Sequence, residues 1–132
     1  MTAVPAPLLI LVIEDDEDAR ANLCDILELD GYRVETAGTV AAALDRHNWA
    51  DIAIIILDYR LPDGSAETLL PQLRQLAPDT AVIVSTGVAG LSGAILAVQQ
   101  GAADYIVKPL DADALRGSLA RIAERQKLAR AR

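Results

Sequence analysis

Five polar residues directly follow or end apolar runs, and their side chains could bind a cation and a phosphoryl group. The clearest run is Ile52–Leu57, six apolar residues rich in β-branched side chains, which ends in the carboxylate of Asp58. A carboxylate at the end of a buried strand needs a partner, because burying it unpaired is costly. Taken alone, Asp58 is equally well explained as a strand-terminal residue that turns into a loop. The five residues are Glu14, Asp15, Asp58, Thr86 and Lys108.

Three of these residues are acidic, and acidic side chains brought together favour a hard divalent cation. Two carboxylates about 4 Å apart repel each other by roughly 4 kcal/mol at an effective dielectric constant near 20. Mg²⁺ suits such a site, since it binds a few carboxylates and keeps several waters. The alternative for Glu14-Asp15-Asp16 is a solvated start of a helix, which the helix dipole stabilises. We assign Asp16 and Glu17 to the helix start and Asp15 to the metal.

Alternating strands and helices must position these residues. Predicted strands are Leu8–Ile13, Arg33–Thr36, Ile52–Asp58, Ala81–Ser85 and Asp104–Val107. Predicted helices contain Ala19 to Leu27 (ending before Gly31), Thr39 to Arg46, Ala66 to Leu76, Ile95 to Val98 (ending at Gly101), and the stretch after Asp111 or Asp113. Pro71 either kinks the third helix or marks a later start. The alternation predicts a parallel sheet with helices on both faces, a three-layer α/β/α domain whose strand ends share one edge.

Composition excludes several classes of function. The 132 residues are enough for one domain, and a net charge of −7 argues against coating nucleic acid. Cys24 is the only cysteine and His47 the only histidine, so an internal disulfide, a cysteine-rich zinc site and a histidine-based cluster are excluded. The apolar run near Leu8 lacks a preceding basic residue and is too short for a signal peptide or a membrane span. A cytoplasmic protein without membrane contact is therefore expected.

The motifs, taken together, resemble the receiver domains of two-component response regulators, the CheY-like superfamily. They are Ile13-Glu14-Asp15-Asp16 after a strand, Leu57-Asp58 through Leu61-Pro62-Asp63-Gly64, Ser85-Thr86-Gly87, and Asp104-Tyr105 through Lys108-Pro109. The resemblance extends from Leu8 to Ala123. It implies a flavodoxin-like (βα)5 fold with strand order 2-1-3-4-5. In that order the first and third strands are neighbours, which would bring Asp15 close to Asp58.

The resemblance implies a phosphoacceptor and a magnesium site. Asp58 would be the carboxylate nucleophile that becomes an aspartyl phosphate. Asp15 and Asp58 would bind Mg²⁺ directly, Glu14 would act through a coordinated water, and the backbone carbonyl of Arg60 would supply a further ligand. Such a chain is a phosphorylatable signalling domain with self-phosphotransfer and autodephosphorylation, and not otherwise an enzyme.

The resemblance also implies a switch. Lys108 would pair with Asp58 at rest and with a phosphoryl oxygen afterwards, and Thr86 would hydrogen-bond the phosphoryl group. Tyr105 would swing inward when Thr86 moves, and the bond before Pro109 would be cis. The surfaces that change would be those of the fourth and fifth strands with the helices that follow them.

Two departures from the family pattern lie outside the chemistry: Gly87 replaces a commoner alanine, and Leu110 replaces a frequent phenylalanine. Arg60 and Val88 occupy positions that in this family tune the lifetime of the phosphate. The rival readings are a haloacid-dehalogenase-type phosphatase, a flavin-binding module and a degenerate receiver. A phosphatase of that type requires a second acid at the position of Arg60. A flavin-binding module is opposed by the acids that follow the first strand, which would repel a phosphate. A degenerate receiver is opposed by the complete set of Asp15, Asp58, Thr86 and Lys108.

We expect three segments and two kinds of partner. Residues 1–7 would form a flexible tail, residues 8–123 the receiver domain, and residues 124–132 a helical extension or a linker to an absent output domain. The chain would be the N-terminal part of a larger response regulator or hybrid sensor kinase, or else a stand-alone regulator. The implied partner is a histidine kinase or a histidine phosphotransfer protein, without direct nucleic-acid binding, and a homodimer through the last strand and helix is compatible with the family.

Overall fold

A five-stranded parallel sheet is the centre of the computed structural model, which describes residues 7–87, 99 and 101–130. The sheet has the order β2-β1-β3-β6-β7, and a separate two-residue hairpin, β4 with β5, follows β3. Counting only the strands of the large sheet, this is the predicted order 2-1-3-4-5, which is confirmed. The strands are β1 Leu9–Ile13, β2 Arg33–Ala37, β3 Ile52–Asp58, β4 Arg60–Leu61, β5 Gly64–Ser65, β6 Ala81–Thr86 and β7 Asp104–Val107.

The helices lie close to their predicted positions. They are α1 Glu17–Leu29, α2 Val40–Leu44, α3 Ala66–Leu76 and the C-terminal helix Ala112–Arg130, with a 3₁₀ turn at Trp49–Asp51. Helix α2 ends at Leu44, two residues before the predicted Arg46. Pro71 lies inside α3 and does not mark its start. The helix predicted around Ile95 to Val98 lies outside the described residues.

Local capping explains where α1 and α2 begin and where α1 ends. The Asp16 carboxylate accepts a hydrogen bond from the Ala19 backbone N–H at 2.9 Å, and the Thr39 hydroxyl accepts one from Ala42 at 3.0 Å. After α1, Gly31 adopts a φ of +90°, which other residues rarely tolerate. The assignment of Asp16 to the start of a helix is thereby confirmed, and α1 leaves the preceding acids at its N-terminal end.

Two hydrophobic cores cover opposite faces of the sheet, because side chains alternate along each strand. Leu11, Ile13 and Leu57 face the core that includes Leu69, Leu70 and Leu73 of α3. Ile10, Val12 and Ile56 face the core that includes Leu23 and Leu27 of α1 and Leu115, Leu119 and Ile122 of the C-terminal helix. Strand β3 is buried at all seven positions, as a central parallel strand must be. The predicted three-layer α/β/α architecture is confirmed.

The register of the sheet brings four strand ends to one edge. Ile13 pairs with Leu57, Asp58 with Ser85, and Thr86 with Val107. The residues that follow these pairs, Glu14 and Lys108, therefore lie on either side of the Asp58–Thr86 region. The polar residues found by sequence thus meet because of strand register, and they do so at the carboxyl edge where parallel α/β sheets bind ligands.

The C-terminal helix is continuous from Ala112 to Arg130 and crosses the predicted boundary between residues 123 and 124. The division into a domain and an extension remains a prediction. None of the described helices is both long enough and apolar enough to span a lipid bilayer.

Candidate functional site

Three carboxylates converge at the carboxyl edge of the sheet. Glu14, Asp15 and Asp58 each offer one oxygen, and these oxygens lie within 4.8 Å of one another. Glu14 and Asp58 are buried at 5% and 7% exposure, whereas Asp15 is exposed. They line a cavity of about 490 Å³ that opens at this edge. The remaining lining residues are Asp16, Tyr59, Arg60, Thr86, Gly87 and Lys108.

Lys108 supplies the ammonium that contacts both buried carboxylates of this site. Its ammonium donates to Glu14 Oε1 at 2.9 Å and to Asp58 Oδ1 at 3.1 Å. The sequence predicted the contact with Asp58 but not the one with Glu14. Strand β7 delivers the side chain, and the Lys108 backbone N–H donates to the Thr86 carbonyl at 2.8 Å. The Lys108–Pro109 peptide bond is cis.

The site contains more acidic than basic groups, and the pKa values of Glu14 and Lys108 are both raised in this environment. Burial away from water, together with contact with Asp58, raises the pKa of Glu14 above its ordinary 4.5 in spite of the Lys108 ammonium. Burial acts to lower the pKa of Lys108, but hydrogen bonds to Glu14 and Asp58 outweigh it and raise that pKa above 10.5. A single ammonium therefore does not compensate two buried carboxylates and an exposed third.

An unpartnered oxygen indicates what the site could hold. Glu14 Oε2 is buried and has no hydrogen-bond partner among the described residues. A buried carboxylate oxygen without a donor is costly, and a cation satisfies it. Because the available donors are oxygens, the residues fit Mg²⁺ better than a soft metal. Arg60, whose backbone carbonyl the sequence singled out, lines the same cavity with its side chain exposed.

The two predicted switch residues lie on neighbouring strands. Thr86 ends β6, is buried at 1% exposure and lines the cavity. Tyr105 lies on β7, partly buried against the core on the α3 face of the sheet. The structure brings Thr86 into the site itself and leaves Tyr105 beside it, packed on that core.

The loop after Asp58 is fixed by contacts on both sides. The Tyr59 backbone N–H donates to the Ser85 carbonyl at 2.8 Å, which ties the loop to β6. Both oxygens of Asp63 accept hydrogen bonds from α2, from Val40 N–H at 2.8 Å and Ala41 N–H at 3.0 Å. These bonds lower the pKa of Asp63 below its ordinary 3.8. The hairpin that carries Arg60 is thus attached to the start of α2.

Sequence reasoning missed the second partner of Lys108, the contact of Asp63 with α2, and a contact of Arg20. The guanidinium of Arg20 donates to the Glu14 carbonyl at 2.8 Å. Asp63 and α2 are separated by more than 20 residues, so neither spacing nor hydropathy could have paired them. Arg20 is nearer, but the only available signal was a basic residue soon after a run of acids.

Comparison with known proteins identifies a family model and several proteins that this chain resembles. A family model described as the response regulator receiver domain matches residues 10–120. The chain is 34% identical over 110 residues to the photosynthetic apparatus regulatory protein RegA of Rhodovulum sulfidophilum, covering 83% of this chain and 60% of RegA. It is 38% identical over 125 residues to the transcriptional regulatory protein FixJ of Azorhizobium caulinodans, covering 92% of this chain and 59% of FixJ.

Solved structures agree with the sequence relatives. The crystal structure of a response regulator receiver domain protein from Clostridium thermocellum superposes with a TM-score of 0.86 and 34% identity, covering 92% of this chain and 98% of that one. The chain spans about 60% of the length of the curated relatives RegA and FixJ, so those proteins contain further sequence that has no counterpart here.

Proposed function

The chain belongs to the family of response regulator receiver domains, and from this premise we propose that Asp58 accepts a phosphoryl group from the phosphohistidine of a histidine kinase or a histidine phosphotransfer protein. The observation that carries the proposal is the environment of Asp58. Its carboxylate is buried at the end of the central strand, beside Glu14 and Asp15 and in contact with Lys108. No packing requirement explains such a concentration of charge at one edge of the sheet.

The proposed step is a displacement at phosphorus. An oxygen of the Asp58 carboxylate attacks the phosphorus, and an acyl phosphate forms as the nitrogen–phosphorus bond of the donor breaks. The bonding electron pair stays on the imidazole nitrogen. Lys108 lies close enough to Asp58 to donate to a phosphoryl oxygen and offset its charge, and burial of Asp58 keeps competing water away.

Magnesium is the cofactor that the donor set favours. Asp15, Asp58 and the backbone carbonyl of Arg60 would hold it, with Glu14 acting through a coordinated water. When bound, Mg²⁺ supplies charge neutralisation for the transferring phosphoryl group. The residues that would hold it are drawn from the ends of β1 and β3 and from the following hairpin, so the folded sheet sets their spacing in advance.

Phosphorylation would change the surface of the domain through movements of Thr86 and Tyr105. A phosphate adds nearly two negative charges and three acceptor oxygens, and the Thr86 hydroxyl is the buried donor nearest the end of β6. Its movement toward the phosphate would free space for Tyr105 on the neighbouring strand. The surface formed by β6, β7 and the helices that follow them would then change.

The proposal also covers the output, the location and nucleic-acid binding. We propose that the receiver controls a separate output domain, because RegA and FixJ are regulatory proteins longer than this chain. A stand-alone regulator is the alternative, and sequencing beyond Arg132 in the source genome separates the two. In either case we expect a cytoplasmic protein that does not itself bind nucleic acid, consistent with its net charge of −7.

Intact mass spectrometry tests the proposal. The wild-type chain, incubated with Mg²⁺ and acetyl phosphate or phosphoramidate, should gain one phosphate that hydroxylamine removes, as expected for an acyl phosphate. Asp58→Ala should gain none, because the nucleophile is absent. Asp79→Ala, which removes an exposed acid near the opposite edge of the sheet, should behave as wild type.

Two results would contradict the proposal that Asp58 accepts the phosphoryl group. Equal phosphorylation of Asp58→Ala would place the acceptor elsewhere. Continuous release of many equivalents of inorganic phosphate from a phosphate monoester would favour the phosphatase class instead of a receiver.

A further inference from the structure

Arg20 holds the backbone of the acidic loop from the side of α1. Five consecutive acids run from Glu14 to Asp18, and Arg20 is the first basic residue after them. Its Nη1 donates to the Glu14 carbonyl at 2.8 Å and makes a longer contact of 3.5 Å with the Asp15 carbonyl. One guanidinium nitrogen therefore contacts the main chain of Glu14 and of Asp15, two of the three clustered carboxylate residues.

The same loop is held from the side of β2. The Glu14 backbone N–H donates to the Ala37 carbonyl at 3.0 Å. The next residue, Gly38, lies so close to Arg20 that a Cβ at this position would stand 3.3 Å from Nη1. Glu14 is thus fixed through its N–H by β2 and through its carbonyl by Arg20, and the absence of a side chain at Gly38 leaves room for the guanidinium.

We propose that Arg20 is a positioning residue for the divalent cation, which it does not touch: it fixes the backbone of Glu14 and Asp15, so that Asp15 reaches the ion together with Asp58 and Glu14 reaches a water bound to the ion. The proposal rests on the proposed function insofar as it takes this site to bind Mg²⁺. Asp15 needs such help most, because its side chain is exposed, whereas those of Glu14 and Asp58 are buried. Fixing its backbone in advance reduces the entropy lost when the ion binds.

The positive charge of Arg20 and its contacts with the loop should have opposite effects on the affinity for Mg²⁺. A positive charge near the site opposes the binding of a cation, so removing it would tighten Mg²⁺ binding if charge were its only contribution. Removing a positioning contact would weaken binding. The direction of the change in Kd therefore separates the two roles.

The experiment measures Mg²⁺ affinity of the unphosphorylated chain by titration calorimetry. Arg20→Met should raise the Kd about threefold to tenfold, less than the 10- to 100-fold typical when a partner of a ligating side chain is lost, because Arg20 binds main chain. Arg125→Met, an exposed arginine on the C-terminal helix, makes the same change in net charge and should leave the Kd unchanged. Arg20→Lys, which keeps the charge and a single donor group, should fall between wild type and Arg20→Met.

A second readout needs no metal. Without Arg20, the Glu14 amide, which is hydrogen-bonded to Ala37, should exchange its hydrogen faster in metal-free protein, whereas amides of β3 should be unaffected. This comparison also detects global destabilisation, which would accelerate exchange in both places.

Gly38→Ala provides an independent approach should Arg20→Met fold poorly. Its added methyl group should displace the guanidinium and weaken Mg²⁺ binding by a smaller factor. In the Arg20→Met background the same methyl group meets no guanidinium, so its effect should largely disappear, and the two substitutions should be non-additive.

An unchanged or lower Kd in Arg20→Met, or full additivity with Gly38→Ala, would overturn the assignment of Arg20. Failure of the proposed function gives a different pattern: wild type would not be phosphorylated on Asp58, whatever the Arg20 variants do to Mg²⁺ affinity. If wild type binds no Mg²⁺ at all, the metal site fails and the inference fails with it.

Discussion

The two edges of the sheet bury polar groups in different ways. At the carboxyl edge, Glu14 and Asp58 share the ammonium of Lys108. At the amino edge, two contacts of the described residues join uncharged groups: the buried Thr80 hydroxyl donates to the Ile52 carbonyl at 2.8 Å, and the partly buried Gln126 Nε2 donates to the Ala53 carbonyl at 2.8 Å. One edge concentrates charge, and the other joins the start of β3 to its neighbours.

Cavity size does not distinguish the edges, whereas charge does. The cavity at the amino edge, lined in part by Trp49, Leu76 and Gln126, is about 550 Å³ and is larger than the 490 Å³ cavity around Asp58. Asp79 is the one ionisable residue of its lining. The carboxyl edge instead holds carboxylates whose repulsion no packing requirement explains. The amino edge therefore contributes stability, whereas the carboxyl edge concentrates charge at a cost in stability, as expected of the ligand site proposed above.

Removing Lys108 should reveal the largest difference between the edges. Lys108→Met leaves the buried Glu14 and Asp58 carboxylates without their common donor. Losing one partner of a buried ion pair costs about 3 to 5 kcal/mol, and because Lys108 is 34% exposed we expect a loss of about 2 kcal/mol in the free energy of unfolding. Urea unfolding of metal-free protein at pH 8 measures it.

The pH dependence of this loss follows from the raised pKa of Lys108. Because the pKa of Lys108 is higher in the folded state, its stabilisation is fully present below the unfolded value of 10.5 and disappears as pH rises through the folded value. The difference between wild type and Lys108→Met should thus be constant from pH 8 to pH 10 and shrink above that. Lys127→Met, with the same charge change on an exposed helix position, should show no loss. A Lys108→Met variant as stable as wild type would show that the buried carboxylates of the carboxyl edge do not depend on the Lys108 ammonium for stability.

The amino edge should respond with a smaller loss and no effect on metal binding. Thr80→Val keeps the shape of a side chain that is 4% exposed and removes its hydrogen bond to Ile52. We expect a loss of about 1 kcal/mol in the free energy of unfolding. Thr80→Ser keeps the hydroxyl and should retain the part of the stability that depends on the bond. A change in Mg²⁺ affinity in Thr80→Val would show that the two edges are not independent.

The residues that meet at the carboxyl edge could largely be predicted from the sequence, whereas the contacts at the amino edge could not. Strand β3 was predicted with its observed bounds, since six consecutive apolar residues with β-branched side chains leave few alternatives. The ends of β1 and β7 were predicted by the same pattern, whereas β6 extends one residue beyond its predicted end at Ser85. The resemblance to receiver domains supplied the strand order. Parallel strand order then brings Asp58, Thr86 and Lys108 to one edge.

The long-range contacts at both edges were not predictable, because each joins residues that only the folded chain brings together. Lys108 reaches Glu14 across the two intervening strands β3 and β6, and Asp63 reaches the first residues of α2. The Gln126 contact with Ala53 joins the last helix to the start of β3 across 73 positions. Hydropathy and spacing report local structure and burial, so they do not identify partners at such separations.

Neutralising Glu14 should have the smallest effect, and it should stabilise the protein. In metal-free protein the raised pKa of Glu14 means that folding disfavours its carboxylate form, a cost present above the folded pKa and absent below the unfolded value of 4.5. Glu14→Gln removes this cost but also loses an ion pair with Lys108, so we expect a gain of only about 0.5 kcal/mol in the free energy of unfolding at pH 8 and none at pH 4.

Magnesium should reverse the order of the two proteins, because an ion that binds only the folded state adds stability in proportion to the logarithm of its concentration over Kd. Wild type should gain thermal stability on addition of MgCl₂, and Glu14→Gln should gain less because it has lost one acid of the site. Glu28→Gln, which neutralises an exposed acid on α1, should follow wild type in both conditions. Equal stabilisation of wild type and Glu14→Gln by MgCl₂ would mean that the buried carboxylate does not serve the ion. The strain at the carboxyl edge would then have no functional explanation, and the contrast between the two edges would reduce to a difference in stability alone.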